Sequence, residues 1–136
     1  MLAGLKGLAM LWFGKRNRKE IWEEDNDEPH GDIEAASKIR RICNLAAGSA
    51  EKLAGFAARP NARKKKYEAG RYDGAKKRAL ELARKMSDDL LRDTAVRQIV
   101  NLCVTANDLK TASVLIGAIQ TEKIRREVLD EHPALR

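Results

Sequence analysis

Aromatic side chains are scarce: two Phe, two Trp and two Tyr among 136 residues, too few to build a core of stacked rings. Three prolines and nine glycines exclude collagen-like, mucin-like and long flexible-linker sequences. The two cysteines, Cys43 and Cys103, each sit in an apolar helical pattern with no Cys or His at ligand spacing. They read as reduced core residues rather than a disulfide or a zinc site. No apolar run approaches the roughly 20 residues of a membrane-spanning helix. The longest, Met1 to Phe13, is broken by Lys6 and glycines, and its positive charges follow it, whereas a secretory signal carries them in front. The expected location is cytoplasmic, with a peripheral position on the inner face of a membrane as the variant to be weighed.

Chemistry-bearing constellations are equally sparse. His30 lies in an acidic stretch and His132 precedes Pro133, neither beside a Cys, a Ser or paired carboxylates. Asp88-Asp89 marks a helix start, where capping explains the pair better than catalysis does, because adjacent residues do not face each other on a helix. The run Glu23-Glu24-Asp25-Asn26-Asp27-Glu28 lacks the glycine turn and terminal Glu of a calcium loop. There is no glycine-rich phosphate loop, zinc spacing or nucleophile motif. The expectation is a binding protein, not an enzyme, with no cofactor and no metal.

What is abundant is charge and alanine. The chain fits one domain, or one small domain with a tail. Leu, Ile, Val and Phe total 30 residues, about 22%, and Ala adds 20 more, enough for a thin helical core. The net charge of +7 is unevenly placed. Residues 1–34 sum to −3, residues 35–66 to +8 and residues 67–136 to +2. The positive excess is therefore one central block, culminating in Arg63-Lys64-Lys65-Lys66.

Composition divides the chain into an apolar and basic segment at 1–19, an acidic linker at 20–32 and a helical domain at 33–131. In the first, Leu5, Leu8, Trp12 and Phe13 share a helical side ahead of Lys15 and Arg16, an arrangement suited to a membrane interface, to a partner or to docking on the chain's own core. Asp32 is placed to cap a long helix over 33–58, whose apolar residues Ile39, Ile42, Cys43, Ala46, Ala50 and Leu53 recur at three and four. Residues 59–72 read as a basic loop. Helices are then expected at 73–86, 90–105, 109–120 and 122–131, with capping residues at Asp73, Asp88 or Asp89, Asn107 or Asp108, and Thr121.

A shift of 33 residues lays Ala79 on Ala112, Leu82 on Leu115, Ala83 on Ile116, Met86 on Ile119, Leu91 on Ile124, Arg92 on Arg125, Ala95 on Val128 and Val96 on Leu129. Gly70-Arg71-Tyr72-Asp73-Gly74-Ala75 with Ala79 to Ala83 resembles the turn and second helix of a tetratricopeptide repeat. The stretch from Ala79 to Val96, continuing through Ala106-Asn107-Asp108 to Ala112, resembles the helical hairpins of bacterial α-solenoids. The likeness covers about residues 67–131 and departs from the tetratricopeptide pattern where a Trp and a Leu-Gly pair are expected. It implies an all-α array of short hairpins, a plain helical bundle being the other solution, and a habit of binding proteins.

Three partners follow as expectations. A protein partner, or a second copy of the chain, would meet Leu91, Ile99, Leu102, Leu115, Ile119 and Ile124 in an adaptor or small chaperone-like protein. Alternatively, nucleic acid would meet Arg59, Arg63, Lys64, Lys65, Lys66, Arg71, Lys76 and Lys77, with Tyr67 and Tyr72 interleaved for stacking. The third is a membrane surface reached by residues 1–19. Arg92 and Arg125 are expected to act structurally, bonding carboxylates or carbonyls of a neighbouring turn.

Overall fold

The computed structural model describes residues 28–56 and 61–136. Among these the chain is all-α, with five α-helices and no strand: α1 (Asp32–Gly55), α2 (Ala62–Arg84), α3 (Asp89–Thr105), α4 (Leu109–Ala118) and α5 (Glu122–Glu131). A 3-10 turn at Pro133–Leu135 follows the last helix, as Pro133 predicts.

α1 buries Ala35, Ile39, Ile42, Cys43, Ala46, Ser49 and Ala50, a stripe at helical spacing. Two contacts fix its register against α2. At one end both Asp32 carboxylate oxygens accept from Ser87 N–H, at 3.1 and 3.0 Å, and Oδ2 also accepts from Asp88 N–H at 2.6 Å. At the other, Lys52 Nζ lies 3.7 Å from Glu68 Oε1. The helices are therefore antiparallel, and that register brings Ala46 and Ala75, both fully buried, to the same level. Small residues there allow the backbones to approach closely. Gly31, not Asp32, is the cap residue of α1. Asp32 instead holds the start of α3.

Of the expected 59–72 loop, the described part is not a loop: α2 is helical from Ala62 onward, with Asn61 Oδ1 accepting from Lys64 N–H at 3.2 Å as its cap. Arg, Lys, Ala and Glu are good helix formers, and charge density concealed this. The turn implied at Gly70–Ala75 by the tetratricopeptide likeness is absent for the same reason. Gly70 and Gly74 sit in the helix interior at a cost of about 1 kcal/mol each relative to Ala. Burial of Glu68, Tyr72, Ala75, Ala79 and Leu82 along one face holds the segment on its neighbours. Asp73 lies mid-helix and pairs with Lys76 at 3.6 Å rather than capping.

α3 is the central element, packed against all four other helices. Asp88 caps it, accepting from Leu91 N–H at 2.8 Å. It ends at Asn107, whose φ of 62° lies in the left-handed region that Asn tolerates better than other side-chain-bearing residues. Asp108 then caps α4 through Thr111 N–H at 3.3 Å. Thr121 begins α5 and donates both N–H and Oγ1–H to Asp93 Oδ2, at 2.7 and 2.6 Å. Asp93 is fully buried.

The 33-residue shift relates buried positions to buried positions: Ala79 and Ala112, Leu82 and Leu115, Ala83 and Ile116, Met86 and Ile119, Ala95 and Val128. It also relates the cap residues Asp88 and Thr121. The packing of these hairpins suits a short α-solenoid-like array. Arg92 and Arg125 are structural: Arg92 Nη2 pairs with Asp89 Oδ1 at 2.6 Å, and Arg125 donates from Nε and Nη2 to the Ile119 carbonyl.

Candidate functional site

The six residues expected to line an apolar groove do not form a surface. Ile99 and Ile119 are fully enclosed, Leu102, Leu115 and Ile124 are buried, and Leu91 is half-buried against the same core. α1 packs on α2 and α3, while the residues of α4 and α5 are enclosed against α3 and the 3-10 turn. The membrane candidates Leu5, Leu8, Trp12, Phe13, Lys15 and Arg16 lie outside the described residues, as do Arg59 and the acidic run before Glu28. No described helix is long and apolar enough to cross a membrane.

The basic candidates divide into two groups. Tyr72 and Lys76 are used inside the fold. Tyr72 is buried and its hydroxyl donates to Asp108 Oδ2 at 2.7 Å. Lys76 Nζ reaches the same oxygen at 3.1 Å and lies 4.8 Å from the Tyr72 ring centroid. Partial burial alone would raise the Asp108 pKa, but the Tyr72, Lys76 and Thr111 donors outweigh it and hold the carboxyl at about 2. Burial, then the neighbouring Cys103 and Asp108, push the Tyr72 phenol up, so it stays protonated as a donor. Because the folded-state pKa of Asp108 lies below its usual 3.8, its stabilisation is complete above about pH 4 and is lost as pH falls towards 2. We expect the stability gap between wild type and Asp108→Asn, on the order of 1–2 kcal/mol at pH 6, to narrow below about pH 4 and to be mostly lost by about pH 2. Urea unfolding of both proteins across that range measures it.

The second group is exposed to solvent. Arg63, Lys64, Lys65 and Lys66 fill the first turn of α2, all exposed, with no acidic residue in that turn. Exposed Arg63, Lys66, Lys77 and Arg84 share one helical side, and their Cα positions span about 32 Å at 1.5 Å per residue. None of these six cations forms an ion pair among the described residues, whereas Asp73 and Glu81 beside them are engaged by Lys76 and Arg78, each at 3.6 Å. Arg71 is half-buried and belongs to neither group. Tyr67, the residue after the basic turn, is 61% exposed.

Beside that turn is a feature that no sequence motif marks. Lys52, Gly55 and Phe56 of the α1 end face Lys64, Tyr67 and Glu68 of α2 across a depression of about 530 Å³. Glu68 has only 8% of its side chain exposed, and its Oε2 is buried without a hydrogen-bond partner. The periodicity of Tyr72, Ala75 and Ala79, extended back one turn, places Glu68 on the buried face; that was its available signal. A second depression, about 350 Å³, separates α1 and α3 and is lined by Arg40, Cys43, Asn44, Gln98, Asn101 and Thr105 among others. Burial, then Cys103, push the Cys43 thiol up to about 12, which leaves it protonated and unreactive at neutral pH.

His132 Nε2 is 2.7 Å from Asn101 Oδ1, a contact that ties the end of α5 to α3, and the backbone N–H of His30 donates to Glu34 Oε2 at 3.3 Å at the start of α1. No group of three metal-ligating side chains occurs among the described residues. Comparisons with protein-family models, characterised proteins and solved structures found no significant match to this chain.

Proposed function

We propose that the chain is a nucleic-acid-binding protein, without catalytic activity of its own, that takes phosphates along the outward face of α2. The observation that carries this reading is the first turn of α2. Four exposed cations sit where the helix dipole already presents positive charge, an arrangement that costs stability unless an anion is bound. The side containing Arg63, Lys66, Lys77 and Arg84 extends it into a line suited to successive phosphates. The adaptor reading is less well supported, since its six apolar contacts are engaged in the fold. An intracellular location accords with this function.

The test is fluorescence anisotropy with a labelled oligonucleotide at several salt concentrations. Four phosphate contacts predict a slope of log K against log salt of roughly −3 to −4, and a loss of about 50- to 150-fold between 50 and 200 mM salt. Replacing Arg63, Lys64, Lys65 and Lys66 together with Gln should remove most of the binding and most of the slope while leaving the melting temperature unchanged or higher. Absence of binding at about 50 mM salt, or binding indifferent to salt, overturns the reading.

A further inference from the structure

A phosphate-binding face alone is indifferent to bases, but the depression at the end of the α1–α2 hairpin has the parts of a base pocket. Its volume, about 530 Å³, lies in the roughly 300–1,000 Å³ range of small-ligand clefts. Phe56 and Tyr67 supply aromatic surface for stacking, Tyr67 standing 61% exposed. Lys52 and Lys64 line it with positive charge. Glu68 brings a buried carboxylate with Oε2 unpartnered, and Oε1 only loosely paired with Lys52 at 3.7 Å. A buried acceptor left without a donor is costly, and a bound donor relieves it.

The occupant must therefore present N–H donors to Glu68 and negative charge to the two lysines. A cationic peptide meets the first need and is repelled by the second; a plain phosphate does the reverse. A nucleotide satisfies both. Among the bases, guanine sets N1–H and the N2 amine side by side on its Watson–Crick edge, two donors matched to one carboxylate. Adenine and cytosine place an amine beside a ring acceptor, and uracil flanks its N–H with two carbonyls that a carboxylate repels. In a duplex that edge is occupied by the paired base, so the ligand must be single-stranded.

We propose that this depression is a guanine subsite and that the chain binds single-stranded nucleic acid, with one guanine held between Phe56 and Tyr67 against Glu68 while the flanking phosphates follow α2. This rests on the nucleic-acid reading above and adds the base and the strandedness to it.

The experiment measures the affinity of the full chain for a single-stranded decamer containing guanine, and for the same decamer carrying hypoxanthine or uracil in its place. Ribose and deoxyribose versions are run in parallel, at fixed salt and as a salt series. Wild type is expected to prefer guanine over uracil by about tenfold, the scale of one bidentate carboxylate–base contact, with hypoxanthine, which keeps N1–H but lacks the amine, in between. Glu68→Gln and Tyr67→Ala should each reduce the preference to under about threefold while the salt slope, set by the α2 cations, is unchanged. Thermal melts show that both variants are folded; Tyr67 is exposed enough for its replacement to be benign even if Glu68→Gln disturbs packing. Equal affinity for the three decamers with a normal salt slope overturns the guanine subsite and leaves the phosphate-binding reading standing. A preference that survives both variants also overturns the subsite. No binding by any decamer at low salt overturns both.

Discussion

Ile99→Ala is expected to lower the unfolding free energy by about 3–5 kcal/mol, one of the largest effects of apolar truncation among the described residues. Ile99 is fully buried near the middle of α3, the helix that touches every other one. Removing three carbons there loses their transfer free energy and leaves a cavity that several packed helices must close together. A core this thin has few substitutes, since many of its other buried positions are alanine. Val114→Ala on α4 provides the control: the residue is 68% exposed and its truncation should cost no more than about 0.5 kcal/mol. Urea denaturation with a common m-value measures both. Equal effects at the two positions would show that α3 is not the structural centre.

Asp93→Ala is expected to cost about 3 kcal/mol for a different reason. The side chain is wholly enclosed, and its Oδ2 receives both the backbone N–H and the hydroxyl of Thr121. Alanine leaves both donors without an acceptor and removes the carboxylate from the N-terminus of α5, where negative charge complements the helix dipole. The unpartnered Oδ1 returns part of the loss, because its burial is itself unfavourable. Asp93→Asn, which keeps an acceptor in the same place, should cost about a third as much. The amides of α5 should exchange faster with deuterium in the alanine variant while those of α1 and α2 keep most of their protection.

The sequence disclosed helices wherever apolar residues recur at three and four with a short polar residue at the start, which is why α3, α4 and α5 fall within a residue or two of expectation. It misleads over 62–72 because cation density and glycines are loop signals only when no apolar face runs through them. Tyr72 and Ala75 belonged to such a face, and Glu68 disguised its first member as polar. The pattern marks Asp32 as a cap for its own helix; nothing in a linear pattern says that a carboxylate will serve the start of another helix. The basic surface was legible as composition, whereas its division into outward cations and the internal Tyr72–Asp108–Lys76 cluster required the third dimension. The 530 Å³ depression joins residues from two helix ends and left no trace in either.

The carboxylates that hold the starts of α3 and α5 come from earlier in the chain: Asp32 precedes Ser87 by 55 residues and Asp93 precedes Thr121 by 28. On the ribosome each acceptor is therefore synthesised before the amide it receives. Once α1 and α2 have paired, Ser87 emerges to a carboxylate already in position, and once α3 has docked, Thr121 meets the next. Structure can thus be laid down in the direction of translation, with no early segment waiting for a late one to satisfy these two helix starts. A circular permutant opened between α3 and α4 would reverse that order for Asp93 and Thr121 while keeping their contact, so the same pairing would have to be reached by a different sequence of events.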